Sequence, residues 1–208
     1  LVGTGHHYYW IGAPDYWLWW GGFFSALEPL PIALMVADTW LHVRERKDKT
    51  VNPLLWTYIV GMAIYHFFGA GVWGFFHTLP PINYYTHGSQ ITVSHGHMAF
   101  FGAYALVNLT IYYYALPQFK GIKRYKETLG QWGFWNMCLS MFFLCLIFLI
   151  AGVLQTYLER FLDIGYMTAH SVMMFWFKIA LGIGVWFLAG VVMTVWHLFT
   201  LRPEQEKA

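Results

Sequence analysis

His95 and His97 stand one residue apart in Thr92-Val-Ser-His-Gly-His-Met, just inside the start of a long apolar segment. Successive residues of an α-helix turn by about 100°, so positions i and i+2 leave the axis roughly 200° apart, on nearly opposite sides. One helix can thus ligate two separate hemes. A second pair, His6 and His7, is contiguous and sits among Gly3, Gly5 and Gly12, which let the segment bend and pack closely. Adjacent side chains splay by about 100°, so both rings can face one metal from a helix end or a loop dipping into the bundle. Imidazole suits iron, copper and zinc alike. Glu28, in Phe24-Ser-Ala-Leu-Glu-Pro-Leu-Pro, is a carboxylate with no basic residue within a turn or two. Its options in apolar surroundings are proton carrier, metal ligand, or neutral acid hydrogen-bonded to a neighbour.

The elements that must position these groups are membrane helices. Of the 208 residues, 58% are hydrophobic and 11% charged, which places the chain among membrane proteins. Apolar stretches at about 16–42, 53–79, 89–116, 128–157 and 168–200 each exceed the roughly 20 residues needed to cross about 30 Å of hydrocarbon. The expected fold is all-α, a polytopic transmembrane bundle of five spans forming a single membrane domain over 1–208. Pro29 and Pro31 cannot donate to the helical ladder, so a kink is expected beside Glu28. Arg44, Arg46, Lys47 and Lys49 follow the first span, Lys120, Lys123, Arg124 and Lys126 the third, and Arg202 and Lys207 the fifth, whereas the other connections hold only Arg160. By the positive-inside rule the N-terminal side lies outside and the C-terminus inside. His6, His7, His95 and His97 then collect toward the outer face. The chain opens without a basic n-region or cleavage site, so a signal peptide is not expected.

Five motifs in register carry a resemblance along essentially the whole chain: Gly3-Thr-Gly-His-His-Tyr-Tyr-Trp-Ile-Gly, Phe24-Ser-Ala-Leu-Glu-Pro, Phe68-Gly-Ala-Gly-Val-Trp-Gly-Phe, Asn83-Tyr-Tyr-Thr-His-Gly and His95-Gly-His-Met-Ala-Phe-Phe-Gly-Ala-Tyr. Together they resemble the C-terminal half of the catalytic subunit of bacterial nitric oxide reductases, in the heme-copper oxidase superfamily. The five spans resemble helices eight to twelve of about twelve. The resemblance implies that His6 and His7 are two of three histidines holding a non-heme iron, with the carboxylate of Glu28 beside it. It implies His95 as proximal ligand of a high-spin heme b3 and His97 as an axial ligand of a low-spin heme b. Calcium bridging the heme propionates is a further implied ion. The implied reaction is reduction of nitric oxide to nitrous oxide in respiratory denitrification or detoxification, in the bacterial inner membrane. A glutamate oxygen beside imidazoles fits iron better than copper. An amide at position 7 or 28 would have resembled a dismutase of nitric oxide; His7 and Glu28 are both intact.

The resemblance also implies ligands this chain does not hold. The third histidine of the non-heme iron and the second axial ligand of the low-spin heme belong to the family's N-terminal half, so the expected partner is that half, or a second chain supplying it. Asn83-Tyr-Tyr-Thr-His-Gly-Ser-Gln-Ile-Thr resembles the cytochrome c-dependent branch more than the quinol-dependent one, implying a membrane-anchored c-type cytochrome as donor. Two other readings stay open: a terminal oxygen reductase with copper in place of the non-heme iron, and a non-catalytic heme-binding or structural subunit.

The remaining polar residues read as structural. His42, His87, His170 and His197 fall at span ends or in a loop; His66 and His77 flank a glycine-rich run, where packing or a hydrogen bond is expected. Lys178 inside the fifth span is expected to snorkel. Gly69, Gly71 and Gly74 form a small-residue packing face. Cys138 and Cys145, seven apart in mid-membrane, are expected to be free thiols. No phosphate loop, catalytic triad or nucleic-acid patch occurs.

Overall fold

The apolar runs become five helices long and apolar enough to cross a membrane: Tyr16–His42, Pro53–Thr78, Gln90–Phe119, Thr128–Phe161 and Tyr166–Phe199. They are seen in a computed structural model that describes residues 2–45 and 52–203. Arg46, Lys47, Lys49 and Lys207, used above to orient the chain, lie outside the described residues. The described part contains no strand. It is the multi-span α-helical membrane fold expected, with some ends moved outward by a few residues. Local chemistry explains the starts that held. Asn52 accepts a hydrogen bond from the Leu54 N–H with Pro53 in the first turn, and Ser89 accepts from the Ile91 N–H.

Four of the five spans are interrupted or change pitch along their length, and this shapes the candidate sites. The first breaks at Leu27 and Glu28 into α1 (Tyr16–Ala26) and α2 (Pro29–Glu45), the kink expected from the proline pair. The second runs as α3 (Pro53–His66), a π-helical stretch at Phe67–Trp73, and α4 (Gly74–Thr78); the short α5 (Pro80–Thr86) follows. The third runs as α6 (Gln90–Phe100), a second π stretch at Phe101–Leu106, and α7 (Val107–Phe119). The fourth is α8 (Thr128–Thr156) with a π turn at Tyr157–Phe161, and the fifth is α9 (Tyr166–Phe199).

Helices meet backbone to backbone at glycine, as expected where lipid supplies no hydrophobic drive between them. A Cβ on Gly102 would lie 2.5 Å from the His66 nitrogen, joining the third span to α3. A Cβ on Gly190 would lie 2.7 Å from the Met137 nitrogen, joining α9 to α8, and one on Gly152 would collide with Ile91, joining α8 to α6.

At the end of the bundle bearing Lys123 and Lys126 lies a buried polar cluster, hydrogen-bonded internally except at the Tyr125 hydroxyl. The Tyr113 hydroxyl bonds His197 Nδ1 at 2.9 Å, His197 Nε2 donates to the Lys126 carbonyl at 2.9 Å, and the hydroxyls of Tyr58 and Thr194 meet at 3.2 Å. This agrees with the structural reading of His197. Cys138 and Cys145 are buried free thiols, also as expected.

Candidate metal centres

Val2–Tyr8 folds as a tight 3-10 helix laid against α1, and two glycines make the approach possible. A Cβ on Gly5 would sit 2.9 Å from the Gly21 Cα, and one on Gly21 only 2.7 Å from the carbonyl carbon of Gly5. The docked segment brings the His6 and His7 rings to a centroid separation of 4.2 Å, tilted by 42°. His6 Nδ1 lies 2.7 Å from the Ser25 hydroxyl, and Ser25 is fully buried. With Nδ1 engaged in that contact, Nε2 of His6 is the nitrogen a metal would take. The Tyr9 hydroxyl donates to the Thr78 carbonyl at 3.0 Å. Burial pushes the Tyr9 phenol up to about 12, so this donor keeps its proton at neutral pH.

His95 and His97 do leave opposite sides of α6. His95 is half-buried and turned toward the second span. Its Nδ1–H donates to the Gly69 carbonyl at 2.9 Å, and Gly74 lies against its edge, where an added Cβ would be 3.2 Å from Cε1. His97 is exposed and turned toward the fourth span, its ring 5.1 Å from that of Phe148. Its Nδ1–H donates to the Val93 carbonyl of its own helix at 2.9 Å. The tautomers are assigned from these acceptors: in both rings Nδ1 carries the proton and Nε2 keeps its lone pair. A carbonyl behind the ring is the support that metal-bound imidazoles need.

The helix backbone is open between the two histidines, where an added Cβ on Gly96 would meet nothing within 4 Å. The donor set is imidazole throughout, which suits heme and non-heme iron. These residues fit the cofactors that the resemblance implies.

Glu28 falls at the break between α1 and α2 rather than within a continuous helix, half-buried, its N–H bonded to the Ser25 carbonyl at 3.1 Å. Ser25 therefore touches both the His6 ring and the Glu28 backbone. Among the described residues no three His, Cys, Asp or Glu side chains close into a metal-binding set. The structure thus brings the rings of His6 and His7 together, but it does not gather Glu28 with the pair.

Three contributors escaped the sequence. The Gly69 carbonyl was hidden in a run read as packing, although Gly69 does pack: its Cβ would lie 2.7 Å from the Ala99 nitrogen. Ser25 carried no signal beyond its place three residues before Glu28. His77 is buried and hydrogen-bonded by Trp73, as its structural reading expected, yet its ring also lies 5.1 Å from that of His95.

The fold is an all-helical membrane bundle in which one helix sends two imidazoles to opposite sides. Residues 1–187 match the family of cytochrome c and quinol oxidase polypeptide I, and the chain belongs to it. It is 44% identical, over 97% of its own length, to a nitric oxide reductase subunit of Stutzerimonas stutzeri. It spans 44% of the length of that relative.

Proposed function

We propose that this chain contributes to a nitric oxide reductase, together with polypeptide equivalent to the rest of its relative's length. The observation that carries the reading is the single helix α6 presenting His95 and His97 to opposite sides with Nε2 of each unprotonated. Its 44% identity to a nitric oxide reductase subunit supports the choice of reaction. In this reading His95 holds high-spin heme b3 and His97 holds low-spin heme b. His6 and His7 hold the non-heme iron, and Glu28 acts beside it. Heme and non-heme iron, when bound, supply the redox chemistry: two nitric oxide molecules take up two electrons and two protons and yield nitrous oxide and water.

This chain's own residues do the positioning. Ser25 holds the His6 ring, and Gly5 against Gly21 sets how closely the pair approaches α1. The Gly69 carbonyl fixes the His95 ring plane, and Val93 that of His97. In this reading Glu28, at the break between α1 and α2, offers a hard oxygen donor or holds a proton. The donor proposed is a membrane-anchored c-type cytochrome, on the strength of the segment from Asn83, and calcium between heme propionates belongs to the same reading. The proposed location is a bacterial inner membrane with the His6 side outside, supported by the described basic residues Lys120, Lys123, Arg124 and Lys126 at the opposite end.

Metal and heme analysis of the complete enzyme, with nitric oxide turnover measured on the same sample, tests this. One non-heme iron per two hemes together with nitrous oxide release is expected. One copper per two hemes would instead make it an oxygen reductase of the same family.

A further inference from the structure

The His6-His7 segment and His95 lie on elements with little direct contact. Beyond the segment docked on it, the most extensive contact of α1 is with α4. The turn formed by α4 and α5 thus lies between the two halves of the site, and a series of hydrogen bonds crosses it to the His77 carbonyl, the His77 ring then packing on that of His95. Trp10 Nε1–H donates to Asn83 Oδ1 at 2.7 Å, and Asn83 Nδ2–H donates to the His77 carbonyl at 2.7 Å. The His77 ring is held in turn. Trp73 Nε1–H donates to its Nε2 at 3.1 Å, so its Nδ1 carries the proton and faces the Thr86 hydroxyl at 3.3 Å. With both nitrogens engaged, His77 is a neutral ring unavailable as a ligand, packed against His95 with planes tilted by 41°.

Trp10 shows that this connection is under load. Its φ of 63° lies in the left-handed region, which a residue bearing a Cβ keeps only where its surroundings impose it. The surroundings here are the Asn83 bond and the ring of His87, stacked 5.8 Å away.

We propose that Asn83 and His77 are positioning residues whose hydrogen bonds fix the separation between the His6-His7 segment and His95. The proposal rests on the function proposed above, in which those two elements hold a pair of irons. Coupling of two substrate molecules needs those centres within a narrow distance, and a small misplacement costs rate steeply. Asn83 is suited to the task because its amide accepts from Trp10 at one atom, Oδ1, and donates to His77 from another, Nδ2.

The test uses the complete oxidised enzyme. Two adjacent ferric irons couple their spins and silence the high-spin heme signal in electron paramagnetic resonance, whereas the low-spin signal is unaffected. Asn83→Leu and Trp10→Phe, with both irons retained by metal analysis, are expected to uncouple the pair and raise the high-spin signal several-fold. Asn83→Asp keeps the acceptor for Trp10 and loses the donor to His77, so an intermediate rise is expected. An unchanged high-spin signal in iron-loaded Asn83→Leu overturns the proposal. If that variant does not assemble, Trp10→Phe, which keeps one aromatic ring beside His87 and removes the N–H donor, decides in the same way. A parent enzyme without a coupled iron pair overturns the functional reading and the proposal together, so the two failures are distinguishable.

Discussion

The Nδ1 of His95 lies 2.9 Å from the carbonyl oxygen of Gly69, a residue in the π-helical stretch of the neighbouring span. That oxygen also accepts the N–H of Gly74, the long i+5 bond of a π turn. A widened turn and a histidine ring thus share one acceptor.

Replacing Gly69 by alanine separates these partners. The new Cβ would lie 2.7 Å from the Ala99 nitrogen and from the Met98 carbonyl carbon, backbone atoms that cannot swing aside. Overpacking of this kind costs about 1–3 kcal/mol. Gly69→Ala should lower thermal stability and shift the absorption of the high-spin heme while leaving the low-spin heme as it was. An unaltered high-spin spectrum would remove Gly69 from the site.

Ser25→Ala should weaken the non-heme metal without disturbing either heme. Losing a hydrogen-bonded support behind a ligating histidine reduces metal affinity by roughly 10–100-fold. Iron content after a graded chelator challenge measures this. Parent-like retention would mean that the 2.7 Å contact with His6 does not support a ligand.

The structure leaves Glu28 apart from the histidine pair, so its proposed part in the reaction is tested by substitution. Glu28→Ala is expected to reduce nitric oxide turnover by about 100-fold or more, the usual range for loss of a proton-transferring group. Heme content should be unchanged. Full turnover in the variant would favour a purely structural carboxylate.

Tyr113→Phe addresses the opposite end of the bundle. It leaves His197 Nδ1 buried without its 2.9 Å partner, at a cost of about 1–3 kcal/mol. Cys138 and Cys145, buried in the native fold, report the loss: a thiol reagent should label them at a lower temperature than in the parent. Heme spectra should not move, since the cluster lies among Tyr58, Thr194 and Lys126 rather than beside His95.

Composition and periodicity were enough for five spans because crossing a bilayer demands length and apolarity, and both are written residue by residue. The two sides of α6 were legible for a similar reason: an i, i+2 spacing has one geometric consequence on a helix. The proline pair announced the break beside Glu28. The π stretches at Phe67–Trp73 and Phe101–Leu106 were not legible, because one extra residue in a turn barely alters an already uniform apolar pattern. Nor was the placement of His77 against His95, which arises only when α4 packs on α6. Hydrogen bonds to backbone carbonyls, such as that of Gly69, leave no trace in residue type at all.

The two rings of α6 take their orientation from different sources. His97 leans on Val93, one turn back in its own helix, whereas His95 leans on Gly69, in another span. The first is aimed as soon as its helix forms. The second cannot be aimed until two spans have met. Biogenesis therefore acquires a chronology: a chain newly threaded into the membrane can present His97 early, and His95 becomes competent only once the second and third spans have docked.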